Sequence, residues 1–503
     1  MCQSYIHRLS WVWYLPGSIE WILHGHFYNL RTFRVSGMIT GGLFTLLVTF
    51  LLCNNNVRTF TSLYKKLIFT AIGFSVVISL LYIGVNPFFL VTTRPEQTIL
   101  LLLTLTLVLF AIPSGSIDTL VKKIIITLVY VICFSTILYM HPKGLFLTPV
   151  LLIVAYKLFS DFNCKPFLIL MFVLLSILAI GNYYAWMSFY DCRNYPTVNN
   201  VFLSFNINIH NIIHNPQLFF SEIITSARDY KREIIQIGFQ QNTDIGYLPY
   251  IEIKSKLKMI NFLIRINYIA LVICLLIASI SLYVSDIRKN KLLTNRLVVL
   301  VLFFCAISNL LLCKSKNWYD AGYLWSLLVL AAVFLSSTQV TSLSKKVVSY
   351  LIGSYFLVVG SYSLHLLTST YNPHFLGGYF GPGIPLIHYN YAKNERDLET
   401  LKRLCHIDTN HARGLIIDDA TYFHFQKSKY PIAYTYLYYA FDQQQFRNFL
   451  LNKPKIDGLI VRKAIVSGVS PDLVEKYKKH AFYAGDFLCV PGSKIDLLFK
   501  DIF

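Results

Sequence analysis

The sequence predicts an α-helical multi-span membrane protein of about ten transmembrane helices with a C-terminal exported α/β domain. Three observations predict it. The 503 residues are 55% hydrophobic and only 14% charged, with a mean hydropathy of +0.53, a balance too apolar for a soluble protein of this size. The apolar residues come in runs approaching the ~20 that a helix needs to cross a hydrocarbon core. After Thr370 the composition changes abruptly to charges, histidines and turn residues such as Gly381-Pro382-Gly383-Ile384-Pro385, so a second domain begins there.

Residues 1–36 form an outer N-terminal segment, rich in Trp, Tyr and His and broken at Pro16-Gly17, with no run long enough to span. It lacks the pattern of a signal peptide. A first transmembrane group, 37–186, holds spans expected at Gly37–Cys53, Leu67–Val91, Thr98–Pro113, Ile124–Met140, Gly144–Phe159 and Phe167–Trp186. Asn86-Pro87 is expected to kink the second of these, and Ser114–Lys123 to form a turn. Residues 187–262 are too many for a simple turn and are expected as a structured outer loop. Within it Phe219, Ile223, Ala227, Tyr230, Ile234 and Ile237 recur every three to four residues, with Glu222, Arg228, Asp229, Lys231 and Glu233 between them. That spacing suits an amphipathic helix lying on the bilayer, or equally a helix of a small folded lobe. A second group, 263–367, holds spans at Ile266–Ser285, Leu297–Cys313, Ala321–Ser337 and Val347–Leu367.

In the C-terminal domain, 368–503, short apolar runs at Gly414–Ile417, Gly458–Val461 and Phe482–Val490 alternate with helix-like runs at Glu395–Leu404, Asp442–Leu451 and Pro471–His480. Such alternation predicts a small α/β fold.

The 45 Lys and Arg against 25 Asp and Glu give a formal charge of +20. No nucleic-acid motif accompanies it, and basic loops facing the cytoplasm and anionic lipid account for it more simply. With 187–262 outside, the short inner loops hold Arg58, Lys65, Lys66, Lys122, Lys123, Lys157, Lys165, Arg288, Lys289, Lys291, Arg296, Lys345 and Lys346, and the outer ones only Arg94, Lys143, Lys314 and Lys316. Thirteen against four satisfies the positive-inside rule and orients the chain as a multi-pass protein of a cell inner membrane, both termini outside. An exported N-terminus then implies either a leading helix upstream of Met1 or a short tail that crosses unaided. Of ten Cys, those in apolar spans are expected as small buried hydrophobes with no metal site. Cys192, Cys405 and Cys489 lie in or beside polar segments, where an oxidising compartment would allow one pair to bridge. There is no CxxC, HExxH or Gly-rich phosphate loop.

Four outer cations fall in three short mouths: Val91-Thr-Thr-Arg94-Pro95-Glu96-Gln97, Met140-His141-Pro142-Lys143-Gly144 and Lys314-Ser-Lys316-Asn-Trp318-Tyr319-Asp320. A lone cation at a span end is most often a snorkelling anchor, and aromatic residues there are anchors by default. Three mouths on one side are expected to build one site. A lipid-phosphate donor keeps its tail in the bilayer and its phosphate at the interface, so it needs cations at span ends, and Arg94, Lys143 and Lys316 fit. Glu96 is placed to pair with Arg94 or bind a sugar hydroxyl, His141 to donate to phosphate or sugar, and Tyr319 and Trp318 to stack on a sugar ring.

The hairpin leading to Arg94-Pro95-Glu96, followed by His141-Pro142-Lys143-Gly144 at the next outward mouth, resembles the membrane glycosyltransferases of the GT-C type. Within that type it is most similar to bacterial enzymes using polyprenyl-phosphate sugars, such as arabinosyl-, aminoarabinose and mannosyltransferases. Arg34-Val-Ser-Gly37 with Leu43–Cys53 is similar to that family's second span, and Lys316-Asn-Trp-Tyr319 to a late outer-loop motif. The resemblance covers roughly Tyr28 to Leu367. It implies transfer of a sugar from a polyprenyl-phosphate donor to a lipid, glycan or protein acceptor at the outer face, among membrane lipids and without nucleic acid. It also implies an acidic general base in the first outer loop. Glu20 is the one acid in the first thirty-six residues, and otherwise that base lies upstream of Met1. The cofactor stays open, a divalent cation among the options. A polysaccharide polymerase or ligase, a transporter and a non-catalytic scaffold are the rival readings.

Overall fold

A computed structural model describes residues 30–57, 61–82, 86–91, 94–112, 119–162, 164–188, 206–230, 295–314, 318–336, 391–408, 456–463 and 471–502, with shorter pieces of 262–284 and 412–433 and residue 466. The first part is helical: α1 Leu30–Val57, α2 Leu63–Leu81, α3 Asn86–Val91, α4 Pro95–Phe110, α5 Leu120–Met140, α6 Pro142–Leu145, α7 Thr148–Ser160, α8 Lys165–Met187, α9 Asn211–His214, α10 Pro216–Arg228, α11 Asn295–Leu312 and α12 Trp318–Ser336. Four segments among the described residues are long and apolar enough to cross a membrane: Gly37–Asn54, Leu63–Leu81, Leu120–Met140 and Lys165–Met187. Shorter apolar helices include Pro95–Phe110, Thr148–Ser160, Leu297–Leu312 and Tyr319–Leu335. The expected span Val347–Leu367, the N-terminal segment 1–29 and the helix-like run Asp442–Leu451 lie outside the described residues.

Burial sorts these helices as their composition requires. In α4 every residue except Leu105 and Val108 is buried, which explains why this helix is apolar all round. Its Thr104 and Thr106 hydroxyls donate back to the Leu100 and Leu103 carbonyls at 2.7 Å, so they enter the core satisfied. By contrast α8 leaves Ile169, Leu170, Val173, Ile177 and Ile180 exposed along its length. A continuous apolar face of this kind is a liability in water and the normal state of a helix in lipid.

Several boundaries differ from those the sequence predicts. The expected kink at Asn86-Pro87 is a break: α2 ends at Leu81, and α3 starts afresh at Asn86, whose side-chain amide donates to the Leu81 carbonyl at 2.6 Å. Helix α4 starts at Pro95, the first-turn position that proline favours. The expected turn Ser114–Lys123 yields its end to α5, because Thr119 caps that helix by accepting the Lys122 N–H. Gly144–Phe159 divides into α6 and α7. Gly144 turns α6 back so tightly that a Cβ there would collide with the Ile137 carbonyl of α5.

The second part is an α/β domain: α13 Tyr391–Leu404, β1 Leu415–Ile417, α14 Tyr422–Phe425, β2 Pro431–Ala433, β3 Gly458–Arg462, α15 Pro471–His480, β4 Phe482–Ala484, β5 Phe487–Pro491 and α16 Gly492–Ile502. The sheet order is β2-β1-β3-β5-β4, parallel from β2 to β3 and antiparallel beyond. Alternate residues feed two cores. Ile416, Leu459, Val461, Leu488 and Val490 meet Tyr477 of α15 and Ile495 and Leu498 of α16, while Leu415, Ile417, Ile460 and Phe487 meet Leu398 and Leu401 of α13. The run expected as one strand, Phe482–Val490, folds as a hairpin, since Gly485 takes a φ of +51° and lets the chain reverse. A disulfide joins Cys405 at the end of α13 to Cys489 in β5.

Candidate functional site

The antiparallel run of α4, α5, α7 and α8 gives the bundle two unlike ends. At one, Lys123 donates to the Phe162 carbonyl at 3.2 Å and Lys157 donates to the Phe110 carbonyl, with Lys122 and Lys165 in the first turns of α5 and α8. At the other end the three mouths converge. Lys143 sits in α6 with its ammonium between two carboxylates, donating to Glu96 Oε1 at 2.9 Å and to Asp320 Oδ1. The partners are 47 and 177 residues away in the chain. Glu96 is 0%, Lys143 5% and Asp320 8% exposed, so the cluster is part of the interior and not of a wet rim. Burying one of these ions alone would be costly, and the mutual pairing offsets it.

The remaining groups complete the arrangement. Arg94 donates from Nε to Glu96 Oε2 at 3.4 Å and lays its guanidinium 3.6 Å over the Tyr319 ring. Lys143 Nζ lies 5.3 Å from the Tyr319 ring centre and 5.4 Å from that of Tyr323. His141 ends α5 and caps α6, its Nδ1 accepting the Lys143 N–H at 3.2 Å. Burial pushes His141 down to about 4, only partly opposed by the Glu96 carboxylate, so near neutral pH the ring is uncharged and keeps its Nδ1 lone pair for the cap. Gln97 holds α3 against the site. Its Nε2 donates to the Phe89 carbonyl at 2.9 Å and to the Leu90 carbonyl, while its Oε1 accepts the Arg94 N–H.

An apolar cavity of about 170 Å³ adjoins this end, lined by Pro142, Leu145, Phe146, Tyr183, Trp186, Met187, Asn206, Ile207, Ile209 and Leu312. Its wall is fixed by the Trp186 indole, which donates to the Leu138 carbonyl at 2.9 Å, and by Ile207, whose N–H donates to the Leu312 carbonyl.

Of the residues singled out in the sequence, Arg94, Glu96, His141, Lys143 and Tyr319 therefore meet. Lys316 and Glu20 lie outside the described residues. Two members were not foreseen. Asp320 belongs to the third mouth and received no role there, although an acid in the first turn of an otherwise uncharged apolar helix is a sign that could have found it. Tyr323, one turn further on, carries no such sign. Among the described residues no group of three or more His, Cys, Asp and Glu is arranged to hold a metal ion. No known family model, curated protein or solved structure matches the chain.

Proposed function

We propose that this chain is a membrane glycosyltransferase of the GT-C type, moving a sugar from a polyprenyl-phosphate donor to a lipid, glycan or protein acceptor at the outer membrane face. The observation that carries the reading is the convergence of three distant mouths into one ion cluster at a single end of an apolar bundle, beside an apolar cavity. A lipid-linked phosphate sugar needs that combination: cations and hydrogen-bonding groups for its head, and an apolar surface for the first part of its tail. Lys143 is already neutralised by Glu96 and Asp320, so Arg94, whose side chain keeps 28% of its surface exposed, is the primary phosphate contact in this proposal. Lys316, from the third mouth, is proposed as a second cation, and Glu20 keeps the role of candidate base.

The test is direct. The full chain, purified in detergent and given radiolabelled polyprenyl-phosphate sugars, is expected to release polyprenyl phosphate. Arg94→Ala should weaken donor binding by roughly ten- to a hundredfold, the equivalent of the ~1.5–3 kcal/mol of a charged hydrogen bond. Arg94→Lys should restore part of it, because an ammonium cannot form the planar two-pronged contact. Unchanged donor binding by Arg94→Ala, or no release from any donor by the unmodified protein, would sink the assignment.

A further inference from the structure

His141 begins the turn that joins the two parts of the site. Pro142, next in the chain, lines the apolar cavity, and Lys143 after it holds the centre of the ion cluster. His141 itself is half-buried, and its Nδ1 is committed, because it accepts the Lys143 N–H at 3.2 Å and so caps α6. A ring nitrogen that accepts from a backbone N–H carries no hydrogen, so in the neutral ring the hydrogen is on Nε2. Among the described residues no group bonds to that Nε2, and the atom is not one of those sealed from the surface. One backbone hydrogen bond therefore sets the tautomer and leaves a donor open at the far edge of the ring.

The chemistry of that donor narrows its partner. Nε2–H offers a hydrogen and no lone pair, which suits an oxygen with lone pairs and no hydrogen. Phosphate oxygens are of that kind, whereas a sugar hydroxyl would bring a hydrogen that the ring, with Nδ1 already used, cannot accept. Place agrees with chemistry. In a lipid-linked sugar the phosphate joins tail to head, and residues 141–143 join the cavity wall to the ion cluster. The state of the ring fits as well. Burial holds its pKa down at about 4, opposed by Glu96 and reinforced by Lys143 and Arg94, so near neutral pH the ring keeps a single hydrogen. We infer that His141 donates its Nε2 hydrogen to the phosphate of the lipid-linked donor, as an uncharged partner to Arg94. The identity of that phosphate rests on the transferase reading, but the tautomer and the open donor do not.

The experiment uses the full chain in detergent and phosphate-free buffer, with farnesyl methyl phosphate as a short singly charged phosphodiester and farnesol as its phosphate-free control. Calorimetry should show the parent protein binding the phosphodiester more tightly than farnesol, with an affinity level from about pH 5.5 to 8, a window in which an ordinary histidine changes charge. His141→Asn should bind it about tenfold more weakly yet unfold near the parent temperature, because asparagine accepts the capping N–H and does not reach the far edge of the ring. His141→Gln should do the reverse, recovering affinity through an amide N–H near the Nε2 position while losing the cap. Full affinity in His141→Asn would leave the histidine a cap only and overturn the inference. So would an affinity in His141→Gln no better than in His141→Asn, or no binding of the phosphodiester by the parent protein. An affinity that rises as pH falls through about 6.5 would overturn it by marking a charged ring. A loss in His141→Asn seen only with a sugar-bearing donor would move the bond to the sugar and overturn it too. Release of polyprenyl phosphate by the parent protein, with phosphodiester binding unaltered in His141→Asn, defeats this inference alone. The expected binding pattern with no release from any donor defeats the transferase reading alone.

Discussion

Lys143 holds two buried carboxylates, which makes it the residue whose loss has the clearest physical consequence. Lys143→Met leaves Glu96 and Asp320 as neighbouring like charges in the interior, and breaking a buried pair in this way costs about 3–5 kcal/mol. We expect the single variant to unfold at a markedly lower temperature, and Lys143→Met combined with Glu96→Gln and Asp320→Asn to recover most of the loss. Thermal unfolding of the parent, the single variant and the triple variant checks this, and equal losses in the single and triple variants would count against it. The sequence made Arg94, Glu96 and Lys143 conspicuous, because charges at the edges of long apolar runs are few. What it could not convey was their state. Lys143 looked like a cation available to phosphate, and its pairing with Asp320 spans 177 residues that leave no local trace of the contact.

At the scale of elements, the apolar runs were legible and their ends were not. Each end was settled by a local group: Pro95 opening α4, Thr119 capping α5, Asn86 closing the gap after α2. The amphipathic segment shows the same limit. In α10 the predicted stripe faces the protein at Phe219 and Ile223, where Ser226 Oγ donates to the Cys313 carbonyl at 3.2 Å and Glu222 pairs with Lys314 at 2.7 Å. A second apolar set, Leu218, Phe220 and Ile224, faces outward, joined by Ile212 and Ile213 of α9. Periodicity identified an amphipathic helix without revealing that it is apolar on two sides. If the outer side rests in the bilayer interface, tryptophan placed at Phe220→Trp should be quenched strongly by brominated lipid in proteoliposomes. Quenching no greater than that of free tryptophan would assign the face to water or to protein.

For the molecule as a whole, the lysine-rich end and the ion-cluster end lie opposite one another, which gives the charge count a spatial meaning. Reporter fusions after Lys66 and Lys123 should behave as cytoplasmic, and fusions after Gln97 and Lys143 as exported. Identical behaviour of the two sets would dissolve the two-ended picture. The Cys405–Cys489 bridge is of a kind that persists mainly in oxidising compartments, and recovering its thiols as reduced and cytosol-accessible in intact cells would count against an exported C-terminal domain. Here the sequence had narrowed the choice to three cysteines. Only the packing of α13 against β5 selects the pair, because proximity across a sheet is a property of the fold and not of spacing along the chain.

The lengths of the helices carry one more implication. The buried α4 has 16 residues and α7 has 13, about 24 and 20 Å at the rise of an α-helix, whereas the exposed α8 has 23 residues, about 35 Å. A hydrocarbon layer is ~30 Å thick, so α8 overmatches it while α4 and α7 fall short. Lipid around such a body meets a thick wall, while anything that reaches the interior meets a thinner one. A headgroup arriving beside Glu96 would therefore travel less far from its own leaflet than the membrane's thickness suggests, and a bilayer of longer acyl chains would lengthen that descent.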